Sequence, residues 1–478
     1  MRKLLRSWWQ DNLLRGVLKN TSYLFSSNSI TAAVSMISSI MATRLIGIVG
    51  FGLVGIIQTF ASNINRLLSF RMSEVVVKYL GESLAAKEIP SGKVGQVSTG
   101  SVQRSASNLQ AAAIVKGIAL IEAATSALAY LVLVLLSSWA ASLFAKDISV
   151  TSLFSFYGLM LLGNLVYETS TGVLQAYKRF DYIAIINTIQ SVITLALILL
   201  AFILHKGVFE VLGAYLLGKA FSGVSISIIA FRQMNHSLGG GWWQTSFKQV
   251  SGWRGILGFA INTNLNGTVN LITRDNILLY LTALSPSALA QDYAGYFKWG
   301  LAIINFVTLP IDPFIWPTYA EITRTIAQRQ WQKTRKLLKQ VSTIAGAWTL
   351  IAGAGIALVG WWLIPFALGP NTIAVYPLTL ILLIGYGTAN VLNWNRPLLL
   401  AFGKPAYPLL IAIAVGSIEL LFTLWLVPNG GYFVMAAILS GYLGLSVSLT
   451  AWRGWREIKI QEEKDIPMVE PATKDVIA

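Results

Sequence analysis

Residues 112–136 read AAIVKGIALIEAATSALAYLVLVLL, with one lysine and one glutamate among otherwise apolar or small residues. A helix needs about 20 mainly apolar residues to cross the hydrocarbon core of a bilayer. In that core every backbone N–H and C=O must find its partner within the segment, so the stretch reads as a spanning helix rather than a strand. Working outward from it, comparable stretches lie at 17–44, 50–72, 150–176, 183–204, 209–231, 255–283, 292–318, 340–368, 374–395, 405–427 and 431–453. The sequence therefore predicts an all-α integral membrane protein of about 12 transmembrane helices.

Composition agrees. The 478 residues are 55% hydrophobic and 12% charged, against about 25% charged in soluble domains. There is no cysteine, which excludes disulfides and thiolate metal sites, and the only histidines are His205 and His236. No metal, no cofactor and no catalytic residue is expected. A GxxxxGK[ST] phosphate loop is absent, so the chain is not itself an ATPase. The first apolar stretch is too long for a cleaved signal peptide and lacks an A-x-A-like cleavage site.

The net charge of +16 has a sidedness that argues for a membrane rather than nucleic acid. Of the Lys and Arg residues in connecting segments, 27 fall in the N-terminal segment, the even-to-odd loops and the C-terminal tail. Only Arg44, Lys146 and Lys206 fall in the alternate loops. The positive-inside rule then places both termini in the cytoplasm, and the excess charge suits anionic membrane lipids. The alternate loops are all short, which argues against a membrane enzyme of polysaccharide assembly working on the outer side.

Two joints recur along the chain. The segments 43-TRLIGIVGFGLVG-55 and 282-TALSPSALAQDYAGYFKWG-300 both end in an aromatic, glycine-rich lead into the next helix. The segments 174-LQAYKRFDY-182 and 399-LLAFGKPAY-407 align without a gap, pairing Ala176 with Ala401, Arg179 with Lys404 and Tyr182 with Tyr407. Six helices followed by six fits a transporter built from repeats. The expected organisation is an interfacial helix on the cytoplasmic surface at 1–16, a first lobe at 17–231, a linker at 232–254, a second lobe at 255–453 and a cytoplasmic tail at 454–478.

The segments ATRLIGIVGFGLVGIIQTF (42–60), SFRMSEVVVKYLGE (69–82) and VLQAYKRFDYIAIIN (173–187) resemble the Wzx-type polysaccharide and O-antigen flippases of the MOP superfamily, relatives of MATE exporters. The resemblance covers about residues 15–455. It implies two six-helix lobes around a central cavity lined chiefly by helices 1, 2, 7 and 8. It further implies transfer of an undecaprenyl-pyrophosphate-linked oligosaccharide from the cytoplasmic to the periplasmic leaflet of the bacterial inner membrane. Polysaccharide polymerase and glycosyltransferases would be its partners.

Ionisable groups at membrane depth are costly and become candidates for function. Gln58, Ser62 and Arg66 form a polar stripe on helix 2 at i, i+4, i+8, and Asn262, Asn266, Asn270 and Arg274 repeat every four residues on helix 7. Such a stripe either glues helices together or lines a cavity that hydrogen-bonds sugars. Arg offers a bidentate fork to a pyrophosphate and Lys a compact charge. On the lining implied by the resemblance, Arg66, Arg274 and Lys298 are the candidate anion ligands, with Lys298 near enough to the outer end of helix 8 to snorkel outward instead. Arg44 in an acid-free first helix also speaks for anionic cargo. Lys219, Glu122, Glu168 and Glu419 are candidate coupling or structural charges, with a Lys219–Glu122 or Lys219–Glu168 pair as the structural form. Asp275 joins them, offset about 100° from Arg274 and so not obliged to face the same cavity. The competing reading is a cation-coupled MATE-like small-molecule exporter, which would favour an embedded acid in helix 1.

Overall fold

The computed structural model describes residues 12–68, 72–77, 79–80, 97–247, 254, 256, 258, 268–269, 271–404 and 406–465. The chain is all-α. Eight helices among the described residues are long and apolar enough to cross a bilayer. Two of these hold two predicted spans each. α1 (Asn12–Leu68) bends at Gly47, where φ is 71°, and a residue with a Cβ would be strained in that left-handed conformation. The last helix (Ala406–Asp465) bends in the same way at Gly431, φ 62°, three residues after Pro428.

Between them the first lobe continues with α2 (Val97–Ala140), α3 (Thr151–Gly158), α4 (Met160–Gly163), α5 (Tyr167–Ala176), α6 (Phe180–Ile203) and α7 (Val208–Leu238). The second lobe has α8 (Ile277–Leu284), α9 (Ala290–Thr308), α10 (Ile315–Ala327), α11 (Trp331–Leu368), α12 (Val375–Val391), α13 (Asn395–Ala401) and α14 (Ala406–Asp465). α8 and α9 supply the seventh and eighth predicted spans.

Several expected boundaries move. α1 already begins at Asn12 and runs on past residue 16; residues 1–11 of the expected interfacial helix lie outside the described residues. The linker is not open chain at its start, because α7 continues to Leu238 and Trp242 is buried. The eighth span ends at Thr308 rather than 318, since Pro310 and Pro313 cannot continue its hydrogen-bond ladder, and α10 follows as a separate helix. The tail is helical to Asp465, with Glu457 and Ile458 fully buried.

The repeat seen in the sequence recurs in backbone geometry at a constant offset. Lys178 sits at φ 58° and Gly403 at φ 69°. The Arg179 N–H donates to Leu174 O at 2.8 Å, and the Lys404 N–H donates to Leu399 O at 2.9 Å. Both turns close a helix by the 6→1 bond that a left-handed residue allows.

Packing divides along the membrane normal. One large apolar core draws on both lobes, from Phe51, Val54 and Phe60 through Phe154 and Leu212 to Leu281, Phe297, Leu378 and Leu439. It lies toward the end away from the basic loops. At the basic end there are two separate cores. One contains Met72, Val75, Ile118, Val173 and Met234 of the first lobe; the other contains Ile322, Leu338, Trp394 and Leu398 of the second. The lobes are thus joined at one end and part toward the other.

The joined end is tight. A Cβ on Gly52 would collide with Gln291 O and Gly295 N, and one on Gly295 would collide with Ile48 O. Only glycine lets α1 and α9 approach this closely. Phe51 stacks on Trp299 at 5.3 Å, and the Trp299 indole N–H donates to Thr43 Oγ1 at 2.9 Å.

Candidate functional site

One cluster of contacts across the seam is polar and charged. Residues Leu271–Asp275 form a π-helical turn closed by Asn276 N–H to Leu271 O at 3.0 Å. Such wide turns inside helices re-aim side chains. Here the turn sets the Asp275 carboxylate between two guanidinium groups. Arg66 Nη1 reaches Asp275 Oδ2 at 2.5 Å, and Arg274 Nε reaches Oδ1 at 3.0 Å. The Asn63 amide donates to Asn276 Oδ1 one turn away. Arg274 and Asp275 therefore share one site, a possibility their angular offset had left open, with the arginine Nε turned onto its neighbour's carboxylate.

The cluster carries two positive charges and one negative. The Arg66 and Arg274 side chains are 59% and 46% exposed while that of Asp275 is 23% exposed, so guanidinium donors remain free for an anion while the carboxylate orients them. A guanidinium has five N–H donors, and the Asp275 pairs use only one nitrogen of each. Thr273 in the same turn accepts from the Tyr442 hydroxyl at 3.1 Å, tying the turn to α14.

Lys298 does not snorkel outward. Its Nζ donates to Gln58 Oε1 at 3.2 Å and lies 4.0 Å from the centre of the Phe51 ring, beside Gly55. It crosses the seam to the same helix 2 stripe that carries Arg66. Of the stripe predicted from Gln58, Ser62 and Arg66, Gln58 and Arg66 thus reach the other lobe.

Arg44 stands apart from this cluster. Its Nε donates to Ala367 O at 2.8 Å and its Nη2 to Phe366 O at 2.5 Å. Those carbonyls belong to the last turn of α11, whose C-terminal oxygens have no intrahelical donor. Two further side chains do the same across the lobes. Lys146 Nζ donates to Ala283 O near the end of α8 at 2.9 Å, and Gln291 Nε2 to Ala145 O just past α2 at 2.9 Å. These three side chains form a latch at the closed end. Asp147 takes no part in it: hydrogen bonds from the Ser149 hydroxyl and N–H hold its carboxyl below the usual carboxylate range. Sequence reasoning passed over Lys146 and Gln291 because a carbonyl acceptor leaves no mark in a sequence. The one available signal was that Arg44 and Lys146 break the charge sidedness of the chain.

The remaining embedded charges separate. Glu122 accepts the N–H groups of Glu168 and Thr169, both at 2.8 Å, and so caps α5 where the fourth span breaks between Gly163 and Tyr167. Glu168 accepts from the Ser73 hydroxyl at 2.5 Å. Neither pairs with Lys219, which corrects the expected ion pair: the backbone N–H groups at the start of α5 take the Glu122 carboxylate instead. Glu419 is 3% exposed and neither carboxylate oxygen has a hydrogen-bond partner. It lies within electrostatic reach of Tyr280, Tyr386 and Tyr442. Asn262, Asn266 and Asn270 lie outside the described residues.

A family model described as "Polysaccharide biosynthesis protein" matches residues 17–323, all of the first lobe and the start of the second. The chain belongs to the polysaccharide biosynthesis protein family. A relative of this family member in Escherichia coli (strain K12), the inner membrane protein YghQ, is 23% identical over 378 residues, 78% of this chain and 98% of the relative. Among solved structures, the inward-facing conformation of a multidrug resistance MATE family transporter of the MOP superfamily superposes with a TM-score of 0.69 at 13% identity, covering 91% of this chain and 96% of the other. An outward-facing conformation of such a transporter gives 0.58 at 13% identity, covering 94% and 96%. A MOP superfamily transporter from Pyrococcus furiosus, described as having a binding pocket of reverse polarity, gives 0.59 at 13% identity, covering 93% and 95%. The polysaccharide biosynthesis family member thus has the MOP fold. It is a multi-pass membrane protein.

Proposed function

We propose that this protein flips an undecaprenyl-pyrophosphate-linked oligosaccharide, such as an O-antigen or exopolysaccharide repeat unit, from the cytoplasmic to the periplasmic leaflet of the bacterial inner membrane by alternating access. The basic loops and both termini face the cytoplasm. The lobes, 17–231 and 255–453 about the linker 232–254, part on that side. The observation that carries this reading is the Arg66–Asp275–Arg274 cluster, set where the shared core gives way to two separate ones. A pyrophosphate entering from the cytoplasmic side meets guanidinium donors already oriented by one carboxylate, and charge-assisted contacts of this kind are the strong ones. Cargo bound more tightly in one state than the other then shifts the equilibrium between them. Glycosyltransferases would supply the substrate and a polymerase would consume it on the far side.

The test is surface glycan output in a flippase-null strain, with membrane levels of each variant measured in parallel. Arg66→Ala and Arg274→Ala each remove a charged contact of roughly 1.5–3 kcal/mol and should lower export; Arg274→Lys should restore part of it, because the fork is lost. Normal export by both alanine variants at normal level defeats the cationic-site mechanism. A second reading, a cation-coupled small-molecule exporter, is favoured by one observation, the buried and unpartnered Glu419. Glycan export that survives in Glu419→Gln while drug resistance is lost would support that reading over ours.

A further inference from the structure

Lys219 stands on the wrong face of α7 for a lipid-facing or snorkelling lysine. The residues three and four positions to either side are Tyr215, Leu216, Ser222 and Gly223; Tyr215 is half-buried and the other three are buried. Leu212 and Ile226, one further turn away, are buried as well. Side chains at these spacings share one helix face. The outward face is a different one, carrying Leu217 at 56%, Val224 at 51% and Ile228 at 48% exposure. Lys219 itself is exposed. An exposed side chain in the middle of a buried stripe faces open space inside the lobe.

The space is walled by close packing on both sides. A Cβ on Gly218 would strike Thr194 of α6, and Gly163 of α4 lies against Ala220. Lys219 thus points between α4 and α6 into the first lobe. It lies about 17 Å along α7 from Val208, near mid-membrane by helix rise. Its charge is uncompensated there. Glu122 is spent on two backbone N–H groups and Glu168 accepts from Ser73; among the described residues Lys219 has no carboxylate partner. A cation left unpaired at this depth is costly unless something negative visits it.

We propose that Lys219 forms a second oxyanion subsite inside the first lobe, taking a carboxylate carried by the sugar portion of the cargo. This rests on the reading that the cargo is a lipid-linked glycan. The assignment to sugar rather than pyrophosphate follows from place and charge. The pyrophosphate belongs with the paired guanidinium groups at the seam, whereas a lone ammonium is a point charge suited to a monoanion. The transporter would then prefer glycans bearing a uronic or similar acid over neutral ones of equal size.

The experiment is titration of purified full-length protein in nanodiscs with three probes: trigalacturonic acid, neutral galactotriose and inorganic pyrophosphate. Lys219→Gln should weaken trigalacturonic acid binding roughly tenfold to a hundredfold, the scale of one charged hydrogen bond, and leave pyrophosphate binding unchanged. Lys219→Arg, which keeps the charge, should retain binding of the acidic trimer and controls for folding. Arg274→Ala should show the reverse pattern, losing pyrophosphate first. The proposal is overturned if the wild type does not bind the acidic trimer better than the neutral one, if Lys219→Gln binds it as the wild type does, or if Lys219→Gln loses both anions together. These are binding readouts, so failure of the flippase reading shows separately as absent glycan export in cells.

Discussion

Arg44→Ala should open the latched end. In the closed arrangement its guanidinium donates to two carbonyls, those of Ala367 and Phe366, at 2.8 and 2.5 Å. Charged hydrogen bonds contribute about 1.5–3 kcal/mol each when buried. Arg44 is exposed and the freed carbonyls can turn to water, so the net loss is nearer about 1–2 kcal/mol for the pair. Tenfold in a population is about 1.4 kcal/mol. If the state open at this end holds about 1% of molecules, it rises to roughly 5–25% in the variant. The chain has no cysteine, so Ile148→Cys and Ser287→Cys, exposed positions on opposite lobes at this end, carry the only spin labels. Pulsed electron–electron distances should gain a longer component in Arg44→Ala, and in Lys146→Ala by the same logic. Unchanged distance distributions in both variants would refute the latch and reduce these contacts to surface decoration.

Other perturbations probe other parts. Glu122→Ala strips two N–H groups of a charged acceptor at the break in the fourth span and should cost about 2–4 kcal/mol, read as a lower melting temperature; a coupling role without a structural one would leave melting unchanged. Gly52→Ala puts a Cβ against Gln291 O and should lower closed-end crosslinking between the two labelled positions above. The repeated turns predict opposite signs: Lys178→Gly relieves a left-handed residue and should stabilise by up to about 1 kcal/mol, while Gly403→Val should destabilise by about 1–2 kcal/mol, both measured by thermal unfolding in detergent.

The spans were legible because lipid leaves helical backbone no alternative, so apolar length alone specifies them. The joint at 174–182 and its partner at 399–407 were legible because a tight turn is a local object. Their hydrogen bonds reach back five residues, and sequence spacing carries that. What the sequence hid is the pairing across the seam. Arg66 and Asp275 stand 209 positions apart, and nothing in either neighbourhood marks the other. Lys219 and Glu122 invited pairing by charge alone. The structure spends the glutamate on a helix break between Gly163 and Tyr167, where Gly163 packs against Ala220 and apolar residues conceal the interruption. Arg44 was weighed as cargo-binding for the same reason: opposite charge is visible in a sequence, and backbone carbonyls at a helix end are not.

The latch is built without a single carboxylate. A guanidinium, an ammonium and an amide bond to backbone carbonyls, so the latch holds no acidic group for a proton to neutralise. In the proposed orientation this end faces the periplasm, whose acidity follows that of the surrounding medium. An ion-pair lock would loosen there whenever a carboxylate picked up a proton. This one keeps its grip in acid, so the outer seal is indifferent to the weather outside the cell, and its release is left to events within the transporter.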